Sequence, residues 1–270
     1  MLPVEEKMCR VNGLSFWDLD DGTRVVGVSS SNWKEFYKLL EEVSPTERLV
    51  VSPELVTVAG RDLKDVIQMR AEIESRVMNV LDFSCSRPET MFLLGTPLFV
   101  NPERPRNSAL CIKNGEIVDS INKRCGVTRE ENECFEMVPE ERPFVVPGTN
   151  TAVLICADFS LATLYSSQTG ADLDRCLELG GKSQLIGQRV RFLPEFATSL
   201  LVIACWGVGG QWIVVGREDE YYEMQLRNIA WRLMNNTDIN EIVMVDRVPG
   251  VEKTCLATSG PYNCKIKKII

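Results

Sequence analysis

The chain has 270 residues, 44% hydrophobic and 25% charged, enough apolar side chain for one large α/β domain or two small ones. Its formal charge of -8 and pI near 4.9 exclude a nucleic-acid or anionic-membrane binder, because both need concentrated lysine and arginine. It contains no histidine, so a cysteine nucleophile would have to take its base from a carboxylate or a lysine.

The opening Met1 to Lys7 shows neither a basic, apolar-cored export signal nor an arginine-rich amphipathic pattern. The longest apolar stretch, Ser199 to Trp206, is far too short to span a bilayer. The expectation is a soluble, cytoplasmic protein with no membrane partner. There are ten cysteines, none in a Cys-x-x-Cys pair and with no imidazole to complete a zinc site, so they are expected to stay reduced and no metal is expected. Cys111 and Cys205 sit inside apolar runs and read as small buried hydrophobes.

In chain order, Arg24 to Ser30 is short and β-branched and predicts a strand. Asn32 is a good helix N-cap with Glu35 three positions on, and Trp33, Phe36, Tyr37, Leu40 and Val43 then form an apolar stripe at helical spacing. Leu49 to Pro53 predicts a strand buried on both faces, with Glu54 at its C-terminal end. A helical period over Asp62 to Asp82 precedes a strand at Met91 to Gly95.

Ala109 to Ile112, the Asn114-Gly115 pair and Ile117-Val118 predict a hairpin, with Lys123 after its second strand. The acidic, proline-flanked segment Thr128 to Arg142 predicts an exposed loop. Val153 to Cys156 is another buried strand, and Phe159 to Glu195 has an irregular pattern with glycines at 170, 180, 181 and 187. Leu200 to Cys205 predicts a strand, Tyr221 to Asn235 a helix, Glu241 to Val245 a strand and Thr254 to Ile269 a terminal strand pair. Hairpins mixed with βα units favour a mixed sheet or two sheets with helices outside. With no repeat, low-complexity tract or linker, residues 1–270 read as a single domain.

Glu54, Lys123 and Cys156 each fall at or just after a strand end, where α/β enzymes present their chemistry. A carboxylate could take the thiol proton, and a lysine could hold a thiolate and a developing oxyanion. The backbone N–H after Cys156, that of Ala157, could complete an oxyanion hole. Taken singly, each has a plainer reading: a packed thiol, a turn glutamate, a solvated lysine.

The segments carrying these residues resemble the nitrilase superfamily of carbon–nitrogen hydrolases. Leu49 to Leu55 is similar to its strand–Pro–Glu motif, Asn107 to Val118 with Lys123 to its hairpin and lysine, and Val153 to Asp158 to its nucleophile strand. Leu200 to Gly207, the helix Tyr221 to Asn235 and Thr258 to Pro261 resemble its later elements, so the likeness runs from about Val25 to Pro261. It implies a four-layer αββα sandwich assembled as a homodimer or higher homo-oligomer, with no cofactor. It also implies Glu54 as general base, Lys123 as oxyanion stabiliser, Cys156 as nucleophile and a second, supporting glutamate. Glu131 matches that last position best, with Glu130 and Glu133 competing; Ala157 and Trp206 would contact the substrate.

Two departures stand out: Ile121-Asn122 where the family often has Tyr-Arg, and Phe159 to Ala162 where it often has Arg-Phe-Pro-Glu. The stretch between Cys156 and Trp206 is also longer than usual, so substrate preference is not inherited. The expected activity is a thiol amidohydrolase acting on a small amide, carbamoyl amine or nitrile. The alternatives are an inactive fold serving as a binding or regulatory protein, and a glutaminase subunit passing ammonia to a ligase.

Overall fold

The computed structural model describes residues 4–9, 13–30, 32–59, 61–124, 126, 129–138, 142–156, 158–159, 193–203, 230–231, 233–235, 237–246 and 263–268. Among them are two six-stranded mixed sheets. The first runs β2 (Gly13–Asp18), β3 (Arg24–Ser29), β4 (Leu49–Val51), β5 (Met91–Leu98), β6 (Arg106–Lys113), β7 (Glu116–Asn122) in spatial order. The second runs β1 (Val4–Cys9), β12 (Asn263–Lys268), β11 (Glu241–Val245), β10 (Ser199–Ile203), β9 (Thr151–Ile155), β8 (Phe144–Val145). In each sheet three neighbouring strands are parallel, β3-β4-β5 and β9-β10-β11, and antiparallel strands flank them.

The parallel strands are continuous apolar runs because both their faces are covered. Side chains alternate across a pleated strand. Val25, Leu49, Val51, Leu93 and Cys111 therefore face the second sheet, joining Val153, Ile155, Leu201, Ile203, Val243 and Val245 in one core. The intervening Val26, Val28, Val50, Phe92, Leu94, Leu110 and Ile112 face outward. There they meet Phe36, Leu40 and Val43 of the first helical segment and Val80 of the second. A fully buried side chain of this size contributes about 1.5–3 kcal/mol by leaving water, so the two cores hold the sheets and helices as stacked layers.

Helix α1 (Trp33–Glu42) begins as its cap predicts, with the Asn32 side chain accepting the Glu35 N–H at 3.0 Å. The expected helix over Asp62 to Asp82 starts later. Asp62 caps a single 3-10 turn, Leu63–Asp65, and helix α2 spans Arg70–Cys85. The hairpin forms as expected: Asn114 and Gly115 have φ of 50° and 80°, the left-handed pair a two-residue turn needs, and Gly adopts it without a Cβ penalty.

Strands β1 and β2 carried no sequence expectation. The terminal strand pair is corrected in part: β12 pairs with β11 and with β1 from the opposite end of the chain, while residues 254–262 lie outside the described residues. Of the helix expected at Tyr221 to Asn235, residues 230–231 and 233–235 are described and helical. Their Ala230, Leu233 and Met234 are buried. No helix among the described residues is long and apolar enough to cross a membrane.

Candidate active site

Strand β4 ends at Val51, and Ser52-Pro53 carries the chain to Glu54. Leu55 then takes a left-handed φ of 54° and opens a 3-10 turn, Val56–Val58. Strand β5 secures this corner from beside it. The Ser52 N–H donates to Leu93 O at 2.9 Å, and the Gly95 N–H donates to Ser52 Oγ at 2.8 Å. Gly95 lies so close that a Cβ there would sit 2.2 Å from Pro53 O and 2.8 Å from Glu54 Cα. Only glycine lets the two backbones approach this closely.

Lys123 leaves the end of β7 with its N–H donating to Asn107 O on β6 at 2.8 Å. The acidic segment expected as an exposed loop instead contains helix α3 (Arg129–Cys134), which turns Glu131 and Phe135 inward. Apolar Phe135, fully buried against Leu55, Val58, Val66 and Ile73, supplies the driving force. Arg104 secures the end of α3 by donating to the carbonyls of Phe135 and Asn132. Because Glu131 sits on the same turned-in face, a charged residue ends up buried where composition alone predicts solvation.

The side chains of Glu54, Lys123 and Glu131 meet in the interior, at 2%, 2% and 6% exposure. Lys123 Nζ donates to Glu54 Oε1 at 2.8 Å and also to Glu131 Oε1. Asn107 Nδ2 donates to the same two oxygens, at 2.7 and 3.1 Å. Glu54 Oε1 is thus doubly engaged, while Glu54 Oε2 has no protein partner among the described residues. Glu130 and Glu133, the competing positions on α3, make no contact with Lys123 among the described residues.

Cys156 follows β9 directly on a sharp corner, with φ of 45°. Its N–H donates to Ile203 O at 2.8 Å, and the Phe159 N–H donates back to its carbonyl at 3.0 Å. A non-glycine residue in this region stores on the order of 1–3 kcal/mol of strain, which persists only where the surroundings over-determine it.

Burial pushes the Glu54 carboxyl above the usual carboxylate range. Lys123 pulls it back, Glu131 pushes it further up, and the N–H donors of Lys123 and Asn107 lower it again. For Lys123, burial alone would favour the neutral amine. The charges of Cys156, Glu131 and Glu54 outweigh burial and hold it well above its ordinary value. The site therefore combines a permanent cation, a carboxylate readier than usual to take a proton, and a thiol within that cation's electrostatic reach.

One further contact brings in Arg124, which carried no sequence expectation. Asp158, two residues past Cys156, is fully buried, and both its oxygens accept the Arg124 N–H at 3.1 Å. Arg124 Nη1 lies 3.4 Å from the same carboxylate, and its Nη2 donates to Arg142 O at 2.9 Å. Arg124 follows Lys123 directly, so this ion pair ties the lysine segment to the cysteine corner. The sequence hint was only the Lys123-Arg124 adjacency. Ala157 and Trp206, the expected substrate contacts, lie outside the described residues, as does Cys205.

Two mixed sheets packed face to face, with helices outside, make up the nitrilase-like αββα fold, and the chain has that fold. Its solved structural neighbours include the NitN amidase of Nesterenkonia sp. AN1, at TM-score 0.57 and 14% identity, covering 90% of this chain and 89% of that one. A variant of that amidase carrying the acetamide moiety of fluoroacetamide on its active-site cysteine aligns at TM-score 0.57 and 14% identity, over 89% of this chain and 86% of that one. A variant in complex with butyramide aligns at TM-score 0.57 and 14% identity, over 89% and 87%. No family model matches the sequence, and no curated protein is similar to it by sequence.

Proposed function

We propose that the protein is a thiol amidohydrolase that cleaves a non-peptide carbon–nitrogen bond in a small amide through a Cys156 thioester. The observation that carries this reading is the buried Glu54–Lys123–Glu131 cluster, whose lysine interacts with the charge of a cysteine on a left-handed corner, in a chain without histidine. Lysine beside the thiol and a carboxylate with one unengaged oxygen supply between them what histidine supplies in other cysteine enzymes. The amide ligands of the Nesterenkonia amidase add support for the substrate class.

In this mechanism Glu54 Oε2 takes the thiol proton and Cys156 Sγ attacks the carbonyl carbon, forming the C–S bond. Lys123 Nζ holds the negative charge that develops on the carbonyl oxygen, together with the peptide N–H after Cys156. The tetrahedral adduct collapses as the C–N bond breaks, and Glu54 delivers its proton to the departing nitrogen. Glu54 then removes a proton from water, the hydroxide forms the C–O bond, the C–S bond breaks, and the proton returns to sulfur. The raised Glu54 carboxyl suits this role, since a base working near neutral pH must both accept and release a proton. Glu131 shares Lys123 and steadies its ammonium; it exchanges no proton with substrate.

An ammonia-release screen over amides, ureido acids and nitriles tests the reading, with Cys156→Ala as the control. Turnover of an amide that disappears in Cys156→Ala is expected. Equal ammonia release by the variant would remove Cys156 as nucleophile, and no release from any class by the parent would favour a binding protein of the same fold.

A further inference from the structure

Asn107 is fully buried on β6 between the Glu54 corner and α3, and its amide is oriented by the two carboxylates. Both bonds come from Nδ2, whereas Oδ1 has no hydrogen-bond partner among the described residues. A buried acceptor left unpaired costs about 1–3 kcal/mol. An apolar side chain of similar size would avoid that cost but would take a donor from each of the two buried carboxylates. Its two donors do have a use: Glu54 and Glu131 share a single cation, Lys123, and a neutral donor lying between them offsets the repulsion that one ammonium leaves uncompensated.

We propose that Asn107 is a positioning residue for the reaction, bridging Glu54 and Glu131 so that Glu54 keeps Oε1 engaged and presents Oε2 to the Cys156 thiol. The proposal rests on the amidohydrolase reading. Three groups act on Glu54: Lys123 from the end of β7, Glu131 from α3 and Asn107 from β6; the charge of Cys156, just after β9, acts on Lys123. Arg124 and Asp158, also nearby in sequence, face each other. Of the neutral groups, Asn107 is the one that draws the Glu54 carboxyl down against burial. Without it Glu54 would hold its proton to higher pH and its carboxylate would be free to turn.

The test measures the rate of Cys156 alkylation by iodoacetamide from about pH 5 to pH 9, on the full chain, with the label located by peptide mapping. The parent and Asn107→Ala are compared alongside the isosteric Asn107→Asp, which loses the donor while filling the same space. Melting curves establish that each variant is folded, and Asn107→Asp decides if Asn107→Ala is not. The expected result is fast labelling in the parent, an acidic limb moved up by about half a pH unit or more in Asn107→Ala, and a plateau rate down about tenfold. The limb should move further in Asn107→Asp, where a negative charge is added. Folded variants that keep the parent's pH profile would overturn the positioning role and leave the amidohydrolase reading standing. A parent whose Cys156 labels no faster than exposed Cys85 would overturn both.

Discussion

Replacing Gly95 by alanine should damage both the fold and the chemistry, through one methyl group. The added Cβ would lie 2.2 Å from Pro53 O and 2.8 Å from Glu54 Cα, where ordinary contact begins at 3.4 Å. Both obstructing atoms are backbone, so no side chain can swing aside. Strand β5 and the Glu54 corner must separate by about an ångström. That movement strains the Gly95 N–H to Ser52 Oγ bond and carries Glu54 away from Lys123. Overpacking of this kind costs about 1–3 kcal/mol, and a catalytic group misplaced by about an ångström loses on the order of a hundredfold in rate. Urea unfolding of Gly95→Ala, paired with kcat/KM on whichever amide the ammonia screen identifies, reads both effects. A variant with parental stability and parental turnover would show that the corner is not held by this contact.

Glu54→Gln should be inactive yet more stable than the parent at neutral pH. Because the folded carboxyl titrates above its unfolded value, its contribution to stability is fully present at acid pH and is lost as pH rises through the folded pKa. The stability gap favouring Glu54→Gln should therefore widen from mildly acidic to neutral pH in urea titrations; a gap that narrows over that range would contradict the linkage. Asp158→Ala strips the carboxylate from the buried Arg124 guanidinium and should cost about 3–5 kcal/mol. Asp158→Asn, which keeps an acceptor for the Arg124 N–H, should cost less; equal losses would mean that the charge pair contributes nothing. Cys111, whose thiol burial pushes up to about 12, should resist alkylation in the native protein near pH 8 and react only after unfolding. Native labelling of Cys111 at the rate of Cys85 would refute its burial.

Much of the architecture was readable because its signals are local. The Asn32 cap, the Asn114-Gly115 turn and the β-branched runs of β4, β9, β10 and β11 each follow from backbone preferences within a few residues. The same locality explains the failures. Strand β1 is held in place by pairing with β12 from the far end of the chain, which no window of neighbouring residues contains; β2, by contrast, is the near half of a hairpin with β3, and its alternation over Gly13–Asp18 is a local signal that its mixed composition obscures. Helix α3 was masked by its charge, since Arg-Glu-Glu-Asn-Glu reads as solvated until Phe135 is seen to turn the segment inward.

The sequence by itself determined which chemical groups are available: a glutamate, a lysine and a cysteine at strand ends, in an acidic chain with no imidazole. Residue type and strand position are properties of short segments, so they survive without knowledge of the fold. Only the tertiary structure decided which of three neighbouring glutamates joins Lys123. It also decided that Asn107 bridges the two acids and that Arg124 and Asp158 link the lysine segment to the cysteine corner. Those are distance relations between residues 8 to 53 positions apart along the chain. They depend on burial, which lowers the local dielectric and gives each charge and each hydrogen bond its weight.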